Sequence, residues 1–199
     1  MKRDLRVSLL ALVGVLSVIC PTNVLAVNYN EGINGDLSGN PALPTSLGTL
    51  GVGANGLIAT FGASDFDLFT FTIGPGHQLD SITLNSYGGG GLSFTGIQSG
   101  SAWTAGLGGL VNPAGLLGWS HISGAMVGTD FLDDIGLGAG AIGFTPPLLA
   151  GTYTMEIQDT GGAVPASMTF NVVPEPSSLV LAALGVIGAA AWSWRRRNR

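Results

Sequence analysis

The sequence predicts an all-β chain: an antiparallel β-sandwich with long Gly-rich loops, set between an N-terminal signal helix and a C-terminal transmembrane helix. Short stretches in which apolar and polar residues alternate predict the strands. Thirty of the 33 glycines lie in residues 27–173, and this density disfavours long helices there. The long apolar stretches lie instead at the two ends of the chain, next to the basic residues.

Residues 1–26 are predicted to be a signal peptide. A basic start is followed by an apolar run from Val7 to Ile19, and the segment ends in Val24-Leu25-Ala26. Small residues at this point suit signal peptidase, so we expect cleavage between Ala26 and Val27. The alternative is an uncleaved anchor helix, for which the apolar run is short. Cys20, the only cysteine, would leave with the signal peptide.

Residues 27–173 are predicted to form the exported β-sandwich domain. Five segments carry the alternation expected of strands: Leu57–Phe61, Asp67–Ile73, Leu79–Asn85, Thr152–Ile157 and Ala166–Val172. In the second segment, Phe69, Phe71 and Ile73 should face the core, and Thr70 and Thr72 should face solvent. By the same argument Glu156 should lie on the outer face of the fourth segment.

The middle of the domain has a different composition. Residues 86–143 contain 17 glycines in 58 positions, which predicts long excursions between core strands rather than a second domain. Within it, residues 129–135 could form one helical turn, with Thr129 or Asp130 as its cap.

The charge distribution excludes some functions. All seven Lys and Arg residues lie at the ends of the chain, whereas residues 27–173 contain ten acidic side chains. A surface of this sign repels nucleic acid and attracts cations, so no nucleic-acid partner is expected.

The end of the chain is predicted to cross a membrane. Residues 177–194 contain no charge, and at about 1.5 Å per residue they would just span a bilayer core. The basic end, residues 195–199, should then stay on the cytoplasmic side. A permanent single-span anchor is the alternative to a removable signal.

The same segment resembles a known sorting signal, the PEP-CTERM motif. The resemblance begins at Val173 and includes the predicted sorting signal, residues 174–199. It is carried by a short motif, the apolar helix after it and a basic end: Val173, Pro174, Glu175 and Pro176, then Arg195, Arg196 and Arg197. It implies an exosortase as processing partner and a Gram-negative host that makes exopolysaccharide. It also implies transient anchoring in the inner membrane before release to the cell surface or the extracellular space. The two prolines would keep the motif extended for a protease cleft.

The domain itself resembles the bacterial pre-peptidase C-terminal domain. The resemblance rests on SDFDLFTFTIGPGHQLDSITL, followed much later by AGTYTMEIQDTGG and a closing strand, and covers roughly residues 57–85 and 148–173. It implies a small jelly-roll-like sandwich that serves as an accessory binding or secretion module without catalysis.

Several aspartates could bind a metal ion. Asp65 and Asp67 should point to the same side of an extended chain, and Asp36 and Asp159 in turns offer further oxygen ligands. Ca²⁺, which takes six to eight oxygen ligands, is the one cofactor considered. The alternative is that Asp65 caps a turn and Asp67 is solvated. A second group consists of Asp130, Asp133 and Asp134.

Aromatic residues in the Gly-rich middle could contact a glycan. Trp103, Trp119 and Tyr87 would stack on sugar rings if they were exposed, which makes exopolysaccharide a candidate partner. The alternative is that the tryptophans pack in the core or beneath loops.

No catalytic constellation stands out. His121 follows Ser120, but no nucleophile elbow or oxyanion donor accompanies them. Residues 51–56 fit G-x-G-x-x-G but precede a strand, where a dinucleotide site requires a helix. We therefore expect a non-enzymatic exported protein, processed by an exosortase and delivered to the cell surface or the exopolysaccharide (biofilm) matrix. The main alternative is a carbohydrate-binding or calcium-dependent adhesion module of that matrix.

Overall fold

The computed structural model describes residues 25–62, 65–159, 161–176 and 178–197. Most of the predicted signal peptide, residues 1–24, lies outside the described residues. The strands are β1 (Asn28–Asn30), β2 (Thr45–Leu50), β3 (Gly53–Phe61), β4 (Asp67–Ile73), β5 (His77–Tyr87), β6 (Ser93–Ser99), β7 (Gly118–Ile122), β8 (Gly151–Asp159) and β9 (Val164–Pro174). The α-helices are α1 (Glu31–Asn34), α2 (Leu132–Gly136) and α3 (Ser178–Arg197). Short 3₁₀ turns lie at Gly108–Leu110, Pro113–Gly115 and Gly124–Met126.

The strands form two mixed sheets. One has the order β1-β3-β9-β5, and the other has the order β2-β4-β8-β6-β7. The all-β prediction is confirmed, but the purely antiparallel arrangement is wrong for two pairs, because β1 runs parallel to β3 and β2 runs parallel to β4. The first four strands alternate between the sheets, so each returns to its own sheet by a crossover, which permits parallel pairing. The jelly-roll arrangement is not confirmed.

The two sheets enclose one apolar core. Phe69 and Phe71 of one sheet contact Phe170 of the other, with ring centroids 6.1 and 5.3 Å apart. Ile73 also lies in this core. The predicted inward orientation of these three β4 residues is therefore confirmed, and alternation along the strand identified one sheet face correctly.

The outer face of the five-stranded sheet is covered, contrary to expectation. Leu68 forms a second apolar cluster there with Trp103, Ala105 and Leu116 from the Gly-rich segment. Thr70, expected in solvent, is 7% exposed, and Glu156 is fully buried. Alternation could not reveal this burial, because the covering residues come from an irregular loop.

Glycines let this loop approach the sheet closely. A side chain at Gly96 would meet the Trp103 ring at 2.9 Å. Gly106 has φ of +91°, and its Cβ would lie 2.5 Å from a backbone oxygen of Leu110. Part of the unusual glycine content therefore makes room for the cover.

A buried amide fixes the start of the domain. The Asn55 side chain accepts hydrogen bonds from the backbone N–H groups of Val27 and Gly51, each at 2.9 Å. It donates to the carbonyl oxygens of Gly51, Gly53 and Phe170. The glycine motif of residues 51–56 is thus a turn into β3, as its position before a strand suggested.

Two helices lie near predicted positions. The helical turn expected near residues 129–135 forms as α2. Its N-cap is Phe131 and not Thr129 or Asp130, although the Asp130 carboxylate accepts the N–H of Leu132 at 3.0 Å. At the end of the chain, α3 overlaps the predicted transmembrane segment, residues 177–194. Within the part of the chain that the structure describes, no helix is both long enough and apolar enough to cross a membrane.

Candidate functional site

Three carboxylates meet at one end of the sandwich. Glu31 begins α1, Asp36 follows that helix, and Asp67 begins β4; one oxygen from each lies within 4.8 Å of the other two. Asp67 is buried, Glu31 is partly buried and Asp36 is exposed. We call this group the acidic cluster. It has a buried inner side and an outer side open to water.

Backbone amides hold the Glu31 carboxylate in place. Oε1 accepts a hydrogen bond from Leu37 N at 3.2 Å, and Oε2 accepts one from Thr60 N at 2.6 Å. Asn30 caps α1 by accepting the N–H of Gly32. Each Glu31 oxygen therefore makes one hydrogen bond and keeps a lone pair for another ligand.

The Asp67 carboxylate, unlike that of Glu31, is not held by backbone amides of the described residues. Among the described residues, neither of its carboxylate oxygens has a hydrogen-bond partner, and the side chain is fully buried. Burial raises the pKa of Asp67 to about 8, and the negative charges of Asp65, Glu31 and Asp36 add to that shift. Burial also raises the pKa of Glu31 and that of Asp65. A buried carboxylate in this setting requires a proton or a cation.

The predicted metal ligands divide between two places. Asp36 and Asp67 come together, and Asp65 is near enough for its charge to act on Asp67. Asp159 is elsewhere and accepts hydrogen bonds from the hydroxyls of Tyr87 and Ser93. Sequence reasoning missed Glu31; an asparagine before it is a signal for a helix start that was not used, and it does not reveal the partner 36 residues later.

In the second group of aspartates, Asp130 has a structural role. Asp130 Oδ1 accepts hydrogen bonds from the backbone N–H groups of Ile82 and Leu132. Asp133 and Asp134 are exposed on α2. The contacts of Asp130 thus join α2 to β5 and explain this residue without a metal ion.

An open pocket lies beside Asp159. It has a volume of about 340 Å³ and is lined mainly by glycines 88–91 and 161–162. The Tyr87 hydroxyl, near this pocket, contacts Ser93 at 2.8 Å and Asp159 at 3.1 Å. Its phenol group is therefore occupied by internal hydrogen bonds.

The two candidate tryptophans differ in exposure. Trp103 is 3% exposed, and its indole N–H donates to the Gly106 carbonyl. The expectation that Trp103 contacts a glycan needs correction, because its ring faces the protein. Trp119 is partly exposed and stacks on Phe94, with centroids 6.0 Å apart. Glycan contact at Trp119 and Tyr87 stays a prediction.

His121 belongs to the same aromatic group. Its ring packs edge-on against Trp119, with centroids 5.5 Å apart. The neighbouring Ser120 hydroxyl donates to the backbone oxygen of His121 at 3.5 Å. These contacts give the imidazole a packing role.

The predicted sorting motif begins inside a sheet. Val173 and Pro174 are the last residues of β9 and pair with Gln78 and His77 of β5. Beyond the strand, Glu175 N donates to the Gly76 carbonyl at 2.8 Å. Among the described residues, this is the last main-chain hydrogen bond that joins the motif to the domain.

The basic end of the chain lies on the last turn of α3. Arg195, Arg196 and Arg197 are there, and the guanidinium carbon of Arg196 lies 4.4 Å from the centroid of the Trp192 ring. Cations at a helix C-terminus complement the helix dipole. The arginines of the predicted sorting signal therefore also stabilise the end of α3.

Comparison with known families gives one match. Residues 172–197 match the model of the PEP-CTERM protein-sorting motif. No curated protein and no solved structure matches the chain. The resemblance of the domain to the pre-peptidase C-terminal module is therefore not confirmed. The motif indicates an exported, membrane-passing protein that is sorted by an exosortase.

Proposed function

We propose that this chain is a non-enzymatic protein of the cell surface or exopolysaccharide matrix of a Gram-negative bacterium. Signal peptidase would remove residues 1–26, and an exosortase would remove the C-terminal helix after a transient stop at the inner membrane. The match of residues 172–197 to the sorting motif is the observation that carries this proposal.

Contacts at the N-terminal boundary support the proposed signal cleavage. Ala26 is exposed, whereas Val27 N donates to Asn55 Oδ1 at 2.9 Å and the Val27 carbonyl accepts from Gly56 N at 2.8 Å. A cut between Ala26 and Val27 would keep both hydrogen bonds. The mature chain would then begin at the first residue of the hydrogen-bonded domain.

The test is the intact mass of the extracellular protein from a strain with the exosortase and from one without it. We expect a C-terminus at or near residues 174–176 only when the enzyme is present. Glu175→Ala should reduce this processing, while Pro165→Ala, a change in β9 outside the motif, should not. An unprocessed tail in both strains would contradict the proposal and make the tail an anchor.

A calcium-dependent adhesion or carbohydrate-binding module is a second candidate, favoured by the acidic cluster. Retention on purified exopolysaccharide, measured in CaCl₂ and in EDTA, tests it. Retention that requires Ca²⁺ and is lost in Trp119→Ala would support this function. Equal weak retention in all conditions would reject it.

A further inference from the structure

We propose that Glu31, Asp36 and Asp67 bind one Ca²⁺ ion, which ties the N-terminal segment to the start of β4. The inference concerns the folded domain and does not rest on how the tail is processed. It is based on the positions of three carboxylates, on the lack of lysine and arginine between residues 7 and 194, and on the lack of hydrogen-bond partners for Asp67 among the described residues.

The positions of the oxygens suit calcium. One oxygen from each of the three side chains lies within 4.8 Å of the others. Calcium binds oxygen at about 2.3–2.6 Å, so two of its ligands can be about 4.6–5.2 Å apart when they face each other across the ion. The three oxygens can therefore share one ion with little movement of the chain.

The chain supplies no cationic partner of its own. Between residues 7 and 194 the sequence has no lysine and no arginine. Asp67 is nevertheless fully buried, and both of its oxygens lack a hydrogen-bond partner among the described residues. Charged groups in that situation are paired or coordinate a metal. A cation that pairs with an ionised Asp67 would therefore come from outside residues 7–194.

The ligand chemistry favours calcium over other metals. All three ligands are carboxylates, which suit hard cations and not zinc or copper. Asp36 is exposed, so water can complete the six to eight ligands that calcium takes. Magnesium requires a nearly ideal octahedron at about 2.0–2.1 Å and usually keeps several waters beside one or two carboxylates, whereas this cluster offers three carboxylates.

The ion would also connect the two sheets. Glu31 is hydrogen-bonded to Thr60 of β3, and Asp67 belongs to β4 in the other sheet. A cation between them would close one end of the sandwich across the core. Stability would then depend on the calcium concentration around the protein, by the linkage between binding and folding.

The test compares the full-length chain, in mild detergent at one fixed pH, in EDTA and in 10 mM CaCl₂. Calorimetry should show one Ca²⁺ per chain. If the affinity is that of extracellular calcium modules, Tm should rise by about 5 °C. An equal concentration of MgCl₂ should have a much smaller effect.

Two variants locate the ion. Asp67→Asn should be at least as stable as the wild type in EDTA, because without a cation the buried Asp67 is held as the neutral acid and asparagine is also neutral, but the variant should lose the Tm rise. Asp36→Asn changes an exposed side chain and should weaken Ca²⁺ binding about tenfold. Asp80→Asn, which changes an exposed carboxylate outside the acidic cluster, is the control and should keep the full Tm rise.

Three results would overturn the inference. A wild-type Tm that is unchanged by CaCl₂ would show that Asp67 holds only a proton. An equal rise with MgCl₂ would reject calcium as the specific ion. A full calcium response in both Asp36→Asn and Asp67→Asn would place any bound ion elsewhere.

Discussion

Asp67 and Glu156 lie on paired strands, and their surroundings differ. Both are fully buried, neither has a hydrogen-bond partner among the described residues, and burial raises the pKa of each to about 8. Asp67 lies opposite Ile157, on the side of the main core, while Glu156 lies opposite Leu68, beneath the Gly-rich loop. The charges of Asp65, Glu31 and Asp36 add to the shift at Asp67, and Glu156 itself makes the smallest contribution, whereas burial alone accounts for the shift at Glu156.

The comparison shows that burial alone does not decide how a carboxyl group is neutralised. Near other carboxylates, one cation can satisfy several groups at once, which favours a metal ion at Asp67. Beneath an apolar cover, binding a proton neutralises a single carboxyl group at the lowest cost in free energy, which favours the acid form of Glu156. Three predictions test this distinction.

The largest effect is expected from removing the cover over Glu156. Trp103→Ala would open a cavity next to Gly96 and Leu68, which flank Glu156 in the sheet. We expect a loss of about 3–5 kcal/mol in the free energy of unfolding, measured with urea at pH 7. Water entering the cavity should also lower the pKa of Glu156.

Trp192→Ala is the control for that variant. Trp192 is 61% exposed on α3, so its loss should change stability by less than about 0.5 kcal/mol. A loss below about 1 kcal/mol for Trp103→Ala would mean that the loop does not shield Glu156.

The next largest effect is the dependence of the free energy of unfolding on pH. The Glu156 pKa is about 8 in the folded chain, against 4.5 as its ordinary value, so the folded state keeps a proton that the unfolded state releases. The stability that this proton contributes is fully present below pH 4.5, and it is lost as the pH rises through 8. Between pH 6 and pH 8 the loss should be about 2–3 kcal/mol.

The difference between wild type and Glu156→Gln isolates this contribution. The variant should show a flatter decline in unfolding free energy over the same pH range, measured in urea with EDTA present. Asp80→Asn, which changes an exposed carboxylate, should follow the wild type. Parallel curves for Glu156→Gln and wild type would show that Glu156 is ionised in the fold.

The smallest effect is expected at the edge of the acidic cluster. Asp65 is partly exposed and acts on Asp67 through its charge. Asp65→Asn should weaken Ca²⁺ binding about two- to fivefold in calorimetry, because one attracting charge is lost and water screens it. Binding that is unchanged or tighter would remove Asp65 from the electrostatics of the site, and Asp80→Asn again serves as the control.

Part of the fold followed from the sequence because alternation is a local property. The segments predicted around β3, β4, β5, β8 and β9 are all strands in the structure. The short strands β1, β2 and β7 were missed, since three to six residues beside glycines give too little alternation to recognise. The parallel pairs were missed for another reason, because strand direction depends on crossovers that no single segment records.

The candidate site, like the fold, could be predicted from the sequence only in part. The sequence by itself determined the sorting tail, because a linear motif is encoded by adjacent residues, and it determined that the body has no lysine or arginine. Only the tertiary structure decided that Glu31 meets Asp67 and that Trp103 lies near Glu156. Such contacts join residues distant in sequence, so they depend on how the strands cross between the sheets and where the loop folds.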